Sequence, residues 1–454
     1  MPVASHRLPS RSLALLGHLF GRTLPATALA IALGAAFIPC AQAQSLQDLY
    51  DASRGYDATY LAARAQAESA AYRAAQVDAL MRPSVGLTAA LARQQTNPPF
   101  GANYGGYATS VGINATQPLF NPANSASIAQ AQRSLDSSAA ALELAEQDLI
   151  VRITQAYFNV LGAQDTLATT RTNKAAIAEQ LASAKRNFEV GTATITDTRE
   201  AQARFDLATA QEIAADNDLL TKRIALDQLV GRANVSPKQL AVPVVLPAVP
   251  YTVEEWATRA NTGHPSVRQA EVALDIAKFE TDKARAGNLP TVDAVASFST
   301  GHGNTQGIVG TNTTGSIGVQ LTYPIFAGFS TQNRIKETLV LEDKSRNDLE
   351  AARRGVTQST RQVYYSVLSL AAQVKALEAA ESSSQLALEA TQLGYRVGVR
   401  VNLDVLNAQT QLFTTQRDLA KARYDVLVGN LLLRQAAGTL TAADLAAISS
   451  LLAR

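Results

Sequence analysis

The chain has 454 residues, a formal net charge of +2, 17% charged and 47% hydrophobic residues, one cysteine and four histidines. So even a charge balance offers neither a basic surface for nucleic acid nor an acidic one for cationic partners. A single cysteine excludes a disulfide within the chain.

Residues 1–43 are organised as an export signal. Arg7, Arg11 and Arg22 precede an apolar run over 24–38, and Ala41-Gln42-Ala43 is a small-x-small cleavage site, so the mature chain is expected to start at Gln44. Cys40 leaves with the signal, and Pro39 before it argues against a lipobox. Losing the three arginines takes the formal charge from +2 to −1. The run is short for a membrane anchor, and no stretch of about 18 apolar residues follows it. A membrane-embedded mature chain must therefore be a β-barrel.

The remainder is written twice, about 207 residues apart: Pro83 matches Pro290, Tyr157 matches Tyr364, Val190-Gly191 match Val397-Gly398 and Asp197 matches Asp404. QPLF (117–120) and YPIF (323–326) match one residue short of that spacing. Such self-similarity predicts two structural units of one kind. They are expected at 44–230 and 252–440, joined by a Pro-rich linker over 231–251 and followed by a tail over 441–454.

Each unit reads as helix, β-hairpin, very long helix, sharp turn and second long helix. Residues 46–80 are expected as a helix stopped by Pro83. Two runs alternate with period 2, over 84–92 and 107–117, around a loop at 93–106 carrying Asn97-Pro98-Pro99 and Gly105-Gly106. From 121 to 189 only Pro122 and Gly162 depart from helix-forming residues, which predicts a helix about 100 Å long. Leu142, Ala145, Leu149, Ile153, Ala156 and Val160 recur at threes and fours, as do Val363, Val367, Leu370, Val374 and Leu377, a coiled-coil rhythm. Many seam positions are Ala, Ser or Thr, which bury little area, so packing against further hairpins is expected.

In the second unit, Ile317, Val319, Leu321 and Tyr323 alternate with Ser316, Gly318, Gln320 and Thr322. Residues 291–299 follow the same pattern loosely. Segments of this kind fit transmembrane β-strands and, taken singly, fit an ordinary half-buried sheet equally well. Four strands cannot close a bilayer-spanning barrel. Either the sheet is soluble or several chains contribute four strands each, twelve in a trimer.

The blocks FEVGTATITDTREAQARFDLA (188–208) and YRVGVRVNLDVLNAQTQLFTTQRDLAKARYDVL (395–427) resemble the helical-tip signatures of the TolC family of outer-membrane efflux and secretion ducts. QPLF with NPANSASIAQAQ, and YPIFAGFSTQNRIKE, resemble its strand-to-helix junctions. The resemblance spans essentially the whole mature chain. It implies a mostly α chain with a membrane β-barrel: a homotrimer with a twelve-stranded barrel in outer-membrane lipid, continued by an α-helical periplasmic tunnel. Its implied partners are a periplasmic adaptor (membrane fusion protein) and an inner-membrane pump of the RND or ABC type. Small-molecule or drug efflux is the favoured cargo reading, with type I protein secretion as the alternative.

The resemblance also implies roles for particular residues. Val190, Gly191, Thr192 and Val397, Gly398, Val399 would be adaptor-docking tips, although both glycines also suit the left-handed close of a helix. Asp404 would form a ring of carboxylates at the constriction, although a helix N-terminus favours a carboxylate anyway. Asn407 stands where a second aspartate is expected, so any cation block should be weaker. Tyr395 and Arg400 would bridge neighbouring coils as gating contacts, with Thr196 and Asp197 as partners.

An enzyme gains little support. The mature chain has His264 and His302 alone, neither at metal-ligand spacing, with no nucleophile elbow and no phosphate loop. Neither a cofactor nor nucleic acid is expected. A periplasmic coiled-coil adaptor is the remaining rival, and two equivalent hairpins with two equivalent strand pairs argue against it.

Overall fold

Asp57 divides the first helical region in two. The computed structural model describes residues 44–452 apart from 98, 101–102, 242–245 and 306–307. It has α1 at Leu46–Arg54 and α2 at Ala58–Asp78, where one helix over 46–80 was expected. The Asp57 carboxylate accepts a hydrogen bond from the Tyr60 amide at 2.7 Å, which starts a new helix. Two Arg152 nitrogens grip the same carboxylate at 2.9 and 3.0 Å, and that hydrogen-bonded guanidinium holds the Asp57 carboxyl below the usual range. The expected export signal lies outside the described residues.

A short 3₁₀ turn, Ala79–Met81, leads into β1 (Ser84–Thr96). With β2 (Tyr104–Phe120), β3 (Thr291–Thr305) and β4 (Ile308–Thr322), it forms one antiparallel sheet in the order β1-β2-β3-β4. All four strands run further than the alternation indicated, and much of the expected loop at 93–106 is ladder: Arg93 pairs with Tyr107 and Gln95 with Gly105. The added length is largely Gln, Gly, Thr and Asn on both faces, so the period-2 contrast fades while backbone pairing continues.

The register sorts the side chains cleanly. One face carries Val85, Leu87, Ala89 and Leu91, then Val111, Ile113 and Ala115, then Ala294, Ala296 and Phe298, then Ile317, Val319 and Leu321. The other carries Thr88, Gly112, Asn114, Ser297, Ser299, Ser316 and Gly318, with Ser297 and Ser316 joined across the strands at 2.8 Å. Every residue of β4 is exposed, and Ile317 on the apolar face is 90% exposed. The outer edges of β1 and β4 carry no neighbouring strand among the described residues.

The helices all leave from the opposite end of the strands to the two hairpin loops. α3 (Pro122–Glu189, 68 residues) folds back as α4 (Ile195–Val230), and α7 (Ser330–Arg396, 67 residues) folds back as α8 (Asn402–Ala436). α5 (Val253–Gly263) and α6 (Pro265–Ala286) precede β3. α3 packs against α2, α4, α6 and α8, while α7 packs against α5, α6 and α8. The contact seams use small residues, among them Ala140, Ala163, Ala184, Ala201 and Ala208, all buried.

An apolar belt crosses the middle of α3. Leu149, Ile153, Tyr157 and Leu161 meet Leu46 and Leu49 of α1, Leu226 of α4, Leu427 and Leu431 of α8, and Leu445 of a last helix, α9 (Ala442–Ser449). The segment after α4 is strapped to this belt: the Tyr157 hydroxyl donates to the Lys238 carbonyl at 2.8 Å, and Leu240 bridges to Leu452.

Candidate functional site

The two helical hairpins end in turns with the same hydrogen-bond pattern. At the first, the Gly191 amide donates to the Phe188 carbonyl at 3.0 Å and the Thr192 amide to the Asn187 carbonyl at 2.8 Å. At the second, the Gly398 amide donates to Tyr395 at 3.1 Å and the Val399 amide to Gly394 at 2.9 Å. This is the Schellman closure of a helix C-terminus, which needs a left-handed residue after the cap. Gly191 and Gly398 supply it at φ 78° and 80°. A Cβ at either glycine would meet nothing within 4 Å, so backbone conformation alone requires glycine there. The tips present Val190, Val397 and Val399 to solvent at 73, 66 and 76% exposure. Thr192 donates its hydroxyl to the Asn187 carbonyl at 3.1 Å.

The return helices begin differently. Thr194 and Asp197 form a reciprocal capping box at the start of α4. Val401 caps α8 with no side-chain bond, and Asp404 lies in the first turn of that helix. Thr196 is exposed beside Asp197.

Inside one chain, the candidate gating residues find partners other than those expected. Arg400 does not reach Asp197: its Nη1 lies 3.6 Å from Asp404 Oδ2, one turn along its own strand of chain, and its aliphatic stem lies over Gly394. Asp197 is committed to its cap. The Tyr395 hydroxyl accepts from Asn187 Nδ2 at 3.2 Å, and Asn407 Oδ1 accepts from Arg204 Nη2 at 3.0 Å. Both bonds join one hairpin to the other. Gln180 donates to the buried Asn402 in the same way, and Leu406 inserts among Ile177, Leu181 and Ala201.

The site thus combines two exposed apolar tips with a thin polar seam between hairpins. Asn187, Gln180, Asn402 and Arg204 belong to that seam and were missed in the sequence, where each sits on a polar stretch of a long helix. Pairing across 203 to 222 residues of chain leaves no local signal. Asp404 carries a counter-cation, Arg400, and Asn407 bonds to another, Arg204. Both positions of the expected constriction therefore sit beside a guanidinium. Among the described residues, no cluster of His, Cys, Asp and Glu could hold a metal ion.

A sequence model of the family described as "Outer membrane efflux protein" matches residues 49–232 and again 256–439. The chain is 31% identical over 413 residues to the outer membrane protein TolC of Vibrio cholerae, covering 88% of this chain and 92% of that one. It is 34% identical over 312 residues to the alkaline protease secretion protein AprF of Pseudomonas aeruginosa, covering 67% and 64% of the two chains. Its fold matches a solved membrane protein from Pseudomonas aeruginosa with a TM-score of 0.76, at 22% identity over 87% of this chain and 93% of the other. The chain belongs to the outer membrane efflux protein family and is an outer-membrane export channel of the TolC type, with its helical part in the periplasm, and not an enzyme.

Proposed function

We propose that three copies of the chain close into a twelve-stranded outer-membrane barrel continued by a periplasmic helical tunnel. This would be the passive exit duct of an export system completed by a periplasmic adaptor and an inner-membrane pump of the RND or ABC type. The observation that carries this reading is the slant of the apolar band across the sheet. Its outer limit is Leu91 on β1, Val111 on β2, Phe298 on β3 and Ile317 on β4. Leu91 pairs with Thr109, Val111 with Thr300, and Phe298 with Gly315. The limit therefore steps down two residues at every strand.

A strand tilted by about 45° in a bilayer needs a step of roughly one and a half residues per strand, from a spacing of about 4.8 Å and a rise of about 3.3 Å. Face alternation rounds that to two. A half-buried soluble sheet has no reason for such a stagger. Bare faces and two open edges supply the rest of the argument, since open edges in lipid leave backbone groups unpaired. Apolar side chains left exposed on α4 (Leu207, Ile213, Leu220, Ile224) and on α7 (Tyr365, Leu368, Leu386, Leu393) would meet in the same closure.

At the tips, Val190, Gly191, Thr192, Val397, Gly398 and Val399 would dock the adaptor, and Asp404 with Asn407 would line the constriction. The family's description as efflux proteins favours small-molecule cargo. Type I protein secretion stands as the second reading because AprF, named for protease secretion, is 34% identical. Mass measurement in mild detergent and single-channel recording test the duct: a trimer that conducts supports it, and a monomer without conductance refutes it. Deleting the chain from its host then separates the cargoes, by drug sensitivity under the first reading and by loss of a secreted protein under the second.

A further inference from the structure

We propose that the outer wall of the barrel carries, directly above its apolar band, a collar that binds the phosphate groups of outer-leaflet lipids, centred on Arg93. The inference rests on the barrel reading above.

On β1, Arg93 is the next residue after Leu91 on the apolar face, so it stands at the first polar level outside the band. Its guanidinium lies 5.9 Å from the centre of the Tyr107 ring on the neighbouring strand. That contact keeps it along the outer wall rather than over the lumen. Among the described residues it makes no ion pair, although 23 such pairs occur elsewhere, nearly all on the helices. The surrounding levels of the same face are Thr109, Tyr107, Thr300 and His302; Thr109 Oγ1 already donates to the His302 carbonyl and His302 Nδ1 pairs with Thr311, while Thr300 accepts from Thr313, so the Tyr107 and Thr300 hydroxyls remain as donors. No carboxylate offsets them: the sole acidic residue in the four strands is Asp293, on the opposite face near the helical end.

An arginine at the edge of a hydrocarbon band extends its charge into the headgroup layer, and its fork matches phosphate geometry with two bonds. The helices lie in the periplasm, so the hairpin-loop end faces the outer leaflet. In a trimer, three such sites would ring the barrel. Outer-leaflet lipids whose headgroups carry phosphate are the occupant that this combination of donor excess, missing carboxylates and membrane depth fits.

The test titrates the full-length trimer in detergent with diphosphoryl lipid A and with the same lipid dephosphorylated. Bound lipid is read by native mass spectrometry and trimer stability by melting. Wild type should hold the phosphorylated lipid about tenfold more tightly, the scale of one charge-assisted hydrogen bond, and Arg93→Gln should lose most of that preference. Arg82→Gln, at the helical end of β1, should keep it. Equal binding of the two lipids by wild type, or an unchanged preference in Arg93→Gln, overturns the proposal. If Arg93→Gln does not assemble, the wild-type comparison decides alone. A conducting trimer without phosphate preference would sink this inference and leave the duct intact, whereas a non-conducting monomer would sink the duct itself.

Discussion

Tyr395→Phe combined with Arg204→Ser should open the periplasmic end. Within each chain the two substitutions delete the bonds Asn187–Tyr395 (3.2 Å) and Arg204–Asn407 (3.0 Å), which tie one hairpin tip to the other. The first is partly buried and is worth about 1 kcal/mol; the second is exposed and is worth about half of that. Together they contribute about 1.5 kcal/mol per protomer, or about 4.5 kcal/mol if three protomers move as one. That corresponds to a shift of roughly a thousandfold in the balance between closed and open tips. Neither substitution touches the apolar belt or the sheet, so assembly should survive. Single-channel recording in planar bilayers should show larger conductance and longer open dwell times. Conductance and dwell times matching wild type, in a variant that still forms trimers, would refute the seam as the closing element.

Three further outcomes are expected. Arg400→Ser alone removes only the exposed pair with Asp404, 3.6 Å apart within one chain; closed-state conductance should stay near wild type, while block by divalent cations added on the periplasmic side should deepen as Asp404 loses its counter-charge. Gly398→Ala places a side chain at φ 80°, costing about 1 kcal/mol in the turn; trimer melting should be unchanged and adaptor co-purification reduced several-fold. Tyr424→Phe keeps the ring stacked on Phe158 but deletes the hydroxyl bond to Asp165, 2.5 Å long. Burial pushes the Asp165 carboxyl above its ordinary range while that bond pulls it down. A carboxyl raised in the fold costs stability once it ionises: the penalty is absent below the unfolded value of 3.8 and grows as pH rises through the folded one. Losing the bond should therefore destabilise by about 2 kcal/mol at neutral pH and by about half of that near pH 4, as measured by melting.

Much of this fold was legible because it is repetitive. The unbroken run from 122 to 189 and the strict alternation over 315–322 each lie in one regular element, α3 and β4, because each carries its own local periodicity. The break at Asp57 was not legible, because its cap is reinforced by Arg152, 95 residues away. Nor were the outer strand ends, where Gln94, Gly106, Gly303 and Thr311 show no apolar contrast to betray a ladder. At the tips, the glycines and Asp404 could be placed from the sequence, since turn chemistry is local. The partner of Tyr395 within the chain could not, because it depends on which hairpin faces which.

The contacts between α3 and α8 change character along their length, and this decides where the duct can move. At the belt, Tyr424 stacks on Phe158 with ring centres 5.4 Å apart, and Leu427 and Leu431 are almost fully buried. Each such side chain contributes about 1.5 to 3 kcal/mol by burial. Toward the tip, the helices part around a groove of about 360 Å³ lined by Thr166, Thr170, Asn173, Thr410, Thr414 and Arg417. The buried side-chain Oδ1 of Asn173 has no partner there among the described residues. Beyond the groove, the contacts between the hairpins among the described residues are Leu406 and three polar bonds. A partner binding the exposed tips thus needs to offset only a few kcal/mol per protomer to part the seam, whereas parting the belt would require exposing a whole apolar cluster. Opening should therefore bend the hairpins below Tyr424 and leave the belt closed, so that the tips can part without loosening the sheet at the far end of the helices.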